Sequence, residues 1–512
     1  MPEQMIAKLK KSILPQWKVC FLSAMAVGLL THFYKMTNWL PNWDSLVFRY
    51  DAQNMLGLGR WFLPVVCAGS SFYDLPWVAS FLALVFHALG AVCICRMFAV
   101  RKNITAALIG AAVVSFPVVT SVLMYNYVAD GYALAFCLAC LAANCLTEEK
   151  PRYGMAVLLI TLSVGIYQAY ITVTIMLLLC YLICQTAQKD TNVKKIVAQA
   201  VKFLLAGAVG MALYYLVLNA LLWVTGIELL DYQGVKSSLS LSGLDLLGSL
   251  YVIKHSLFDF FFDFSSGWRA LHVINCAVFA ASALFYLCDI VKSKLSATKL
   301  LLLAVWLLLL PIGASVLALI NSSVDYHNLM KMGFFVFYLF FLLQYEHTQF
   351  KSEKGNHAKL WTIFLVAAAL IFNQVLIANI SYHKLQIAYE KSFGTLIRIA
   401  DRIEQTDGAA DCNRILVVGH LPQSEAYSAD VSLDMTGTTD GFILRADDEI
   451  AGQSVFCSAL NDYCGKDYQF VSGDEKQALL QQLDENVLGV WPDKHSVVVV
   501  DGVIVVKLGS EP

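Results

Sequence analysis

Two carboxylates and two guanidiniums stand among tryptophans near the start of the chain. They fall in Asn38-Trp-Leu-Pro-Asn-Trp-Asp44-Ser, Phe48-Arg-Tyr-Asp51 and Gly57-Leu-Gly-Arg60-Trp-Phe-Leu-Pro64. A carboxylate such as Asp44 or Asp51 can take the proton of an attacking hydroxyl, and Arg60 can hold a phosphate through paired N–H···O bonds. Tryptophan favours the headgroup level of a bilayer, where one edge is apolar and the other wet. Partial desolvation at that level makes a carboxylate a better base. The competing reading has Asp44 capping a short interfacial helix and Arg60 snorkelling. Gly57-x-Gly59 is too short a pattern to specify a nucleotide site.

Three further stretches carry polar groups. Tyr125-Asn126-Tyr-Val-Ala-Asp130-Gly-Tyr132 offers one carboxylate, which either faces a substrate or N-caps the following helix. Gly165-Ile-Tyr167-Gln168-Ala-Tyr170 interrupts a long apolar run, and polar residues at such breaks usually face a cavity, here a candidate sugar site. Asp325-Tyr-His327-Asn328 with Lys331 offers basic groups to a phosphate, or is an ordinary loop with a snorkelling lysine. Residues 225–268, with Asp245, Asp259 and Asp263 among many phenylalanines, read as an amphipathic interfacial helix. Cys137-x-x-Cys140 reads as apolar packing. Cys457 and Cys464 are candidates for a short disulfide, with Cys412 as rival partner.

The elements that position these groups follow from hydropathy. Hydrophobic residues make up 58% and charged residues 14% of the 512 residues, and mean hydropathy is +0.63. Soluble chains carry about 25% charged residues; so few could not cover a water-facing surface, whereas lipid asks for none. The net charge of −2 gives no reason to expect a nucleic-acid partner. Apolar runs long enough to span a bilayer lie near 18–34, 76–98, 104–124, 131–146, 196–224, 269–291, 299–320, 329–345 and 359–380. Splitting 153–185 at its polar break brings the total to about eleven.

If the N-terminus is cytoplasmic, the inside segments collect Lys8, Lys10, Lys11, Arg96, Arg101, Lys102, Lys150, Arg152, Lys189, Lys194, Lys195, Lys292, Lys294, Lys351, Lys354 and Lys359. The outside loops hold few basic residues, among them Lys35, Arg49, Lys236 and Lys254. This is the positive-inside asymmetry. An odd span count then leaves the C-terminus outside. The first span reads as uncleaved. From about residue 381 the character changes: an amphipathic helix over 381–404, strands near 414–420 and 496–507, the second with a turn at Asp501-Gly502, and a helix near 472–485. The expected architecture is an all-α polytopic membrane protein with a small C-terminal α/β extracytoplasmic domain. The division is 1–380 for the transmembrane transferase domain and 381–512 for the outer domain, a scaffold or acceptor platform.

The order of a basic start, one span, Asn-Trp-Asp44…Asp51…Gly-Arg60-Trp61, then Tyr-Asn-Tyr…Asp130 and Tyr-Gln-Ala-Tyr resembles the type II glucosyltransferases of bacterial O-antigen serotype conversion and related surface-polymer decoration. The resemblance covers roughly residues 20–400. It implies a GT-C-type membrane fold, a glucosyl-phosphoryl-undecaprenol donor, and an aspartate base in the first outside loop, a position that both Asp44 and Asp51 fit.

The physics of the reaction suits that implication. Nucleotide sugars do not occur beyond the cytoplasmic membrane, so the donor must be lipid-borne. A lipid phosphate leaves without strong acid catalysis, and the enzyme needs one base and one cation. The expectation is a hexosyltransferase, glucose being the hexose the resemblance implies, in the plasma membrane. Its partners are a polyprenyl-phosphate-sugar donor, a surface glycan acceptor and the lipid bilayer. Arg60, Tyr125, Asn126, Asp130, Tyr167, Gln168, His327 and Lys331 are the candidate substrate contacts. The residues point to no certain cofactor, and a divalent cation stays open. The competing classes are a transporter or flippase, which would place charges and broken helices at the midplane, and a non-catalytic scaffold.

Overall fold

The computed structural model describes residues 3–4, 13–41, 43–47, 55–71, 73–230, 245–264, 269–348, 354–419, 449–482 and 488–509. The chain forms two compact units. One comprises Met1–Thr37 with Ala52–Asn379; the other comprises Asn38–Asp51 with Ile380–Pro512.

The first unit is helical. Among the described residues, nine helices are long and apolar enough to cross a membrane, from Pro15–Thr37 to Gly355–Glu404. Two shorter helices, Tyr153–Ile166 and Phe335–His347, stand where the remaining expected spans fall. The chain is thus a polytopic all-α membrane protein with a small α/β C-terminal region.

Small residues let these helices approach closely, the usual substitute for a hydrophobic driving force in lipid. A Cβ on Gly110 would lie 2.3 Å from the Cys20 carbonyl oxygen of Pro15–Thr37. The Asn103–Met124 span, counted once among the nine, is interrupted at Phe116-Pro117. Pro117 lacks an N–H and pushes the preceding residue out of the helical region. Phe116 is accordingly extended (φ −56°, ψ 133°), separating Asn103–Ser115 from Pro117–Met124. The predicted break inside 153–185 is present: Tyr167 is extended, and a single 3-10 turn, Gln168–Tyr170, leads into Ile171–Ala187.

Segments expected on one side of the membrane bond to one another. On the side assigned inward, Glu148 pairs with both Arg96 and Arg152. Lys102 Nζ donates to the Tyr345 carbonyl at 2.7 Å, and Lys299 Nζ donates to the Lys189 carbonyl at 2.9 Å. On the opposite side, Leu230 N–H donates to the Gly57 carbonyl at 2.9 Å. The expected helix within 225–268 is Leu246–Phe262, N-capped by Asp245, whose carboxylate accepts from Gly248 N–H; such a cap stabilises by about 1 kcal/mol.

The second unit holds a four-stranded sheet in the order β2-β1-β4-β3. Its strands are β1 Arg414–Val418, β2 Gln469–Phe470, β3 Val497–Val500 and β4 Val503–Lys507. β1 runs parallel to β2 and β4, while β3 and β4 form an antiparallel hairpin. Its turn residues Asp501 and Gly502 both have positive φ, as the expected two-residue hairpin turn requires. Ile415, Val417, Leu460, Ile504 and Val506 form the core with Leu396, Ile399 and Ile403 from the end of the Lys354–Glu404 helix. Leu46 joins the same core.

The expected disulfide is absent. Every cysteine is a free thiol. Cys457 and Cys464 lie on one helix, Glu449–Cys464. Seven residues of helical rise separate them by about 10 Å, beyond disulfide reach. The Cys457 thiol donates instead to the Tyr468 carbonyl at 2.8 Å.

Candidate active site

Gly59 sets the shape of the loop that carries Arg60. Its φ is +75°, and a Cβ there would meet the Gln168 amide nitrogen at 2.6 Å and the Tyr214 hydroxyl at 2.8 Å. Glycine is therefore required both for conformation and for space. Tyr214 donates to the Gly59 carbonyl at 3.0 Å. Gln168 Nε2 donates to the Leu58 carbonyl at 2.9 Å and to the Tyr214 hydroxyl at 3.1 Å. The break at Tyr167 thus frees Gln168 to pin the first loop.

Arg60 rests on aromatic rings. Its Cζ lies 4.7 Å from the Tyr167 ring centroid, and Nη1 donates to the Tyr132 hydroxyl at 3.0 Å. Tyr132 and Tyr167 stack in turn, 4.6 Å apart and 6° from parallel. A guanidinium over a desolvated ring gains about 2 kcal/mol, and a planar donor fork so oriented suits a phosphate.

Arg60, Tyr167, Gln168 and His327 line a common cavity of about 320 Å³, with Tyr214 and apolar walls from Leu218 and Leu317. That volume is at the lower end for small-molecule sites. Burial holds the His327 imidazole down at about 4, with Arg60 and Lys331 adding to the effect and Asp325 opposing it. His327 is therefore neutral near pH 7, a hydrogen-bonding group rather than a cation.

The other expected residues fall elsewhere. Asp130 is buried in the second turn of Asn126–Thr147, where its carboxylate accepts from Gly131 N–H at 2.9 Å. The N-cap of that helix is Tyr125, so the capping reading of Asp130 does not hold. Asn126 is fully buried; it donates to Asp74 at 2.7 Å and accepts from Ser80 at 2.8 Å. Lys331 is buried with Nζ 5.8 Å from the Phe260 ring centroid. Asp44 is half-buried in the first turn of Trp43–Val47 and belongs to the second unit with Leu46. Asp51 lies outside the described residues, as do Arg49 and Lys236. Among the described residues no three His, Cys, Asp or Glu side chains converge as ligands around an ion would.

Tyr132 and Tyr214 are the contributors the sequence reading passes over. Tyr214 stands in the Val193–Thr225 helix beside a second tyrosine, Tyr215, and nothing in the sequence marks which of the two faces the site. Tyr132 follows Asp130 and is visible as part of that motif, though not as the support of Arg60.

No curated protein and no solved structure matches the chain. The family model described as glucosyl transferase GtrII matches residues 33–344, well over half of the sequence and the whole of the cavity at Arg60. The chain belongs to the GtrII glucosyl transferase family and is a membrane glycosyltransferase.

Proposed function

We propose that the chain moves a hexose, glucose on its family, from a polyprenyl-phosphate carrier of the undecaprenyl type to a surface glycan at the outer face of the plasma membrane. The observation that carries this reading is the origin of the cavity walls. Arg60, Tyr167 and His327 come from three separate connections, and the charge pattern assigns all three to the outer side. A phosphate entering from the outer leaflet meets a guanidinium there, and nucleotide donors are absent from that side. A transporter would need such groups at the midplane.

In the proposed reaction Arg60 grips the donor phosphate, and Tyr167 and Gln168 flank the sugar. Asp44 takes the proton of the acceptor hydroxyl as its oxygen bonds to the anomeric carbon; Asp51 is the alternative base. The bond from that carbon to the phosphate oxygen breaks, and the carrier leaves as polyprenyl phosphate. A single displacement inverts the anomeric configuration. Tyr125, Asn126, Asp130, His327 and Lys331 complete the proposed contacts, with Asn126 acting through Asp74. Residues 1–380 form the transferase domain, of GT-C type, and residues 381–512 form the extracytoplasmic domain.

Deleting the gene should remove one hexose from the surface polymer and leave its backbone intact. A C-terminal reporter active only outside the cytoplasm should be on. An unchanged polymer, or a reporter active only in the cytoplasm, would refute the placement.

A further inference from the structure

Met211 lines two cavities. One is the cavity that holds the Arg60 guanidinium; the other, of about 530 Å³, is walled by Ile171, Phe203, Gly207, Trp306 and Val316. Three chain segments contribute neighbouring residues to both cavities. Tyr167–Ala169 gives way to Ile171, Tyr214 to Met211 and Gly207, and Leu317 to Val316. The second cavity offers nothing to a polar ligand. The Thr174 hydroxyl on its wall donates to the Ala139 carbonyl at 3.2 Å, and the Trp306 indole N–H donates to Thr186 at 3.2 Å. Along the Val193–Thr225 helix the lining runs from Val197 to Met211, about 21 Å at 1.5 Å per residue. That is most of one hydrocarbon core of about 30 Å.

A ligand filling both spaces has an anionic head at Arg60 and a single long hydrocarbon tail. Resting on the lipid-carrier reading above, we infer that the apolar groove receives the isoprenoid chain of the donor, so that the enzyme selects carriers by the length of tail that fills it. The groove accepts roughly four isoprene units of extended chain before its end is reached. Units beyond that lie in bulk lipid and add no affinity.

Gly207 supplies the test, because a Cβ there meets nothing within 4 Å. Gly207 lines the groove and not the Arg60 cavity, so a tryptophan there places its ring in the groove. Ala208 lines the same wall and provides a second variant. Gly154 also opens on empty space but lies away from the groove, and serves as a size control.

The experiment uses purified full-length protein and glucosyl-phosphoryl-prenols whose tails lengthen one isoprene unit at a time. For the wild type, KM should fall at least ~10-fold up to about four units and then level, since each unit in the groove adds packing contacts with its walls, with kcat unchanged. Gly207→Trp and Ala208→Trp should raise the long-tail KM to the short-tail value, and Gly154→Trp should leave it alone. Failure of every tail length to donate sinks the carrier reading itself. Transfer from these donors that is indifferent both to tail length and to Gly207→Trp overturns the groove alone.

Discussion

The Arg60 guanidinium lies over the face of Tyr167, 4.7 Å from its centroid, in a cavity where both residues form the wall. Neither is near the other in sequence. They meet because the apolar run over 153–187 breaks at Tyr167 and because Gly59 turns the first loop back toward it. The site is a charged fork held by rings and by one amide, Gln168.

Arg60→Ala should raise the donor KM by about 10- to 100-fold, equivalent to 1.4–2.8 kcal/mol of binding, and extra carrier should partly rescue the rate. Arg60→Lys should recover less than half of the loss, because an ammonium cannot hold a phosphate bidentately. Donor titrations with purified variants measure both; a wild-type KM for Arg60→Ala would remove Arg60 from the phosphate site.

Gly59→Ala should destabilise the first unit by about 1–2 kcal/mol, the cost of a left-handed non-glycine residue, and should also reduce transfer. The added methyl meets Gln168 and Tyr214, so the loop must shift. Tyr214→Phe, which removes only the hydroxyl, should loosen the same loop and lower kcat/KM by about 10-fold at a cost near one hydrogen bond. Thermal unfolding in detergent and steady-state kinetics separate the two effects.

His327 supplies a pH prediction with a definite sign. Its ordinary value is 6.5 and burial lowers it to about 4 in the fold. The unfolded chain therefore binds more protons between these values, so the neutral imidazole's contribution is intact above pH 6.5 and lost as pH falls toward 4. His327→Gln should flatten that acid limb of the Tm curve. An unchanged limb would mean that the titrating group is another.

The base is tested by comparing two aspartates. Asp44→Asn should lower kcat by about 10²–10⁴-fold, the usual cost of removing a general base, while insertion and donor binding survive. Asp51→Asn should retain transfer. The reverse result would assign the base to Asp51, and activity in both would turn attention to Asp130.

Much of this is legible in the residues alone. Run length defines the spans, because a bilayer imposes one length on every crossing helix. Arg60, Tyr167, Gln168 and His327 are readable as polar interruptions of apolar sequence, and the structure gathers all four. Tyr214 is not readable, since a tyrosine inside an apolar helix carries no mark of which neighbour it faces. Asn126 looks like a ligand contact but engages Asp74 and Ser80, a pairing between distant segments. Nor does local pattern reveal that 38–51 joins the C-terminal unit. That depends on Leu46 finding Leu396 and Ile399, over 300 residues away. The Cys457–Cys464 bridge fails for a related reason: proximity in sequence within a helix is separation in space.

The central claim is that the sugar comes from a lipid phosphate held at Arg60. The direct measurement is transfer by the purified protein in lipid nanodiscs, supplied with either glucosyl-phosphoryl-polyprenol or UDP-glucose and an acceptor glycan. The account predicts hexose transfer from the lipid donor alone, with inverted anomeric configuration and with KM raised by Arg60→Ala. Transfer from UDP-glucose without the lipid, or lipid-dependent transfer untouched by Arg60→Ala, would contradict it.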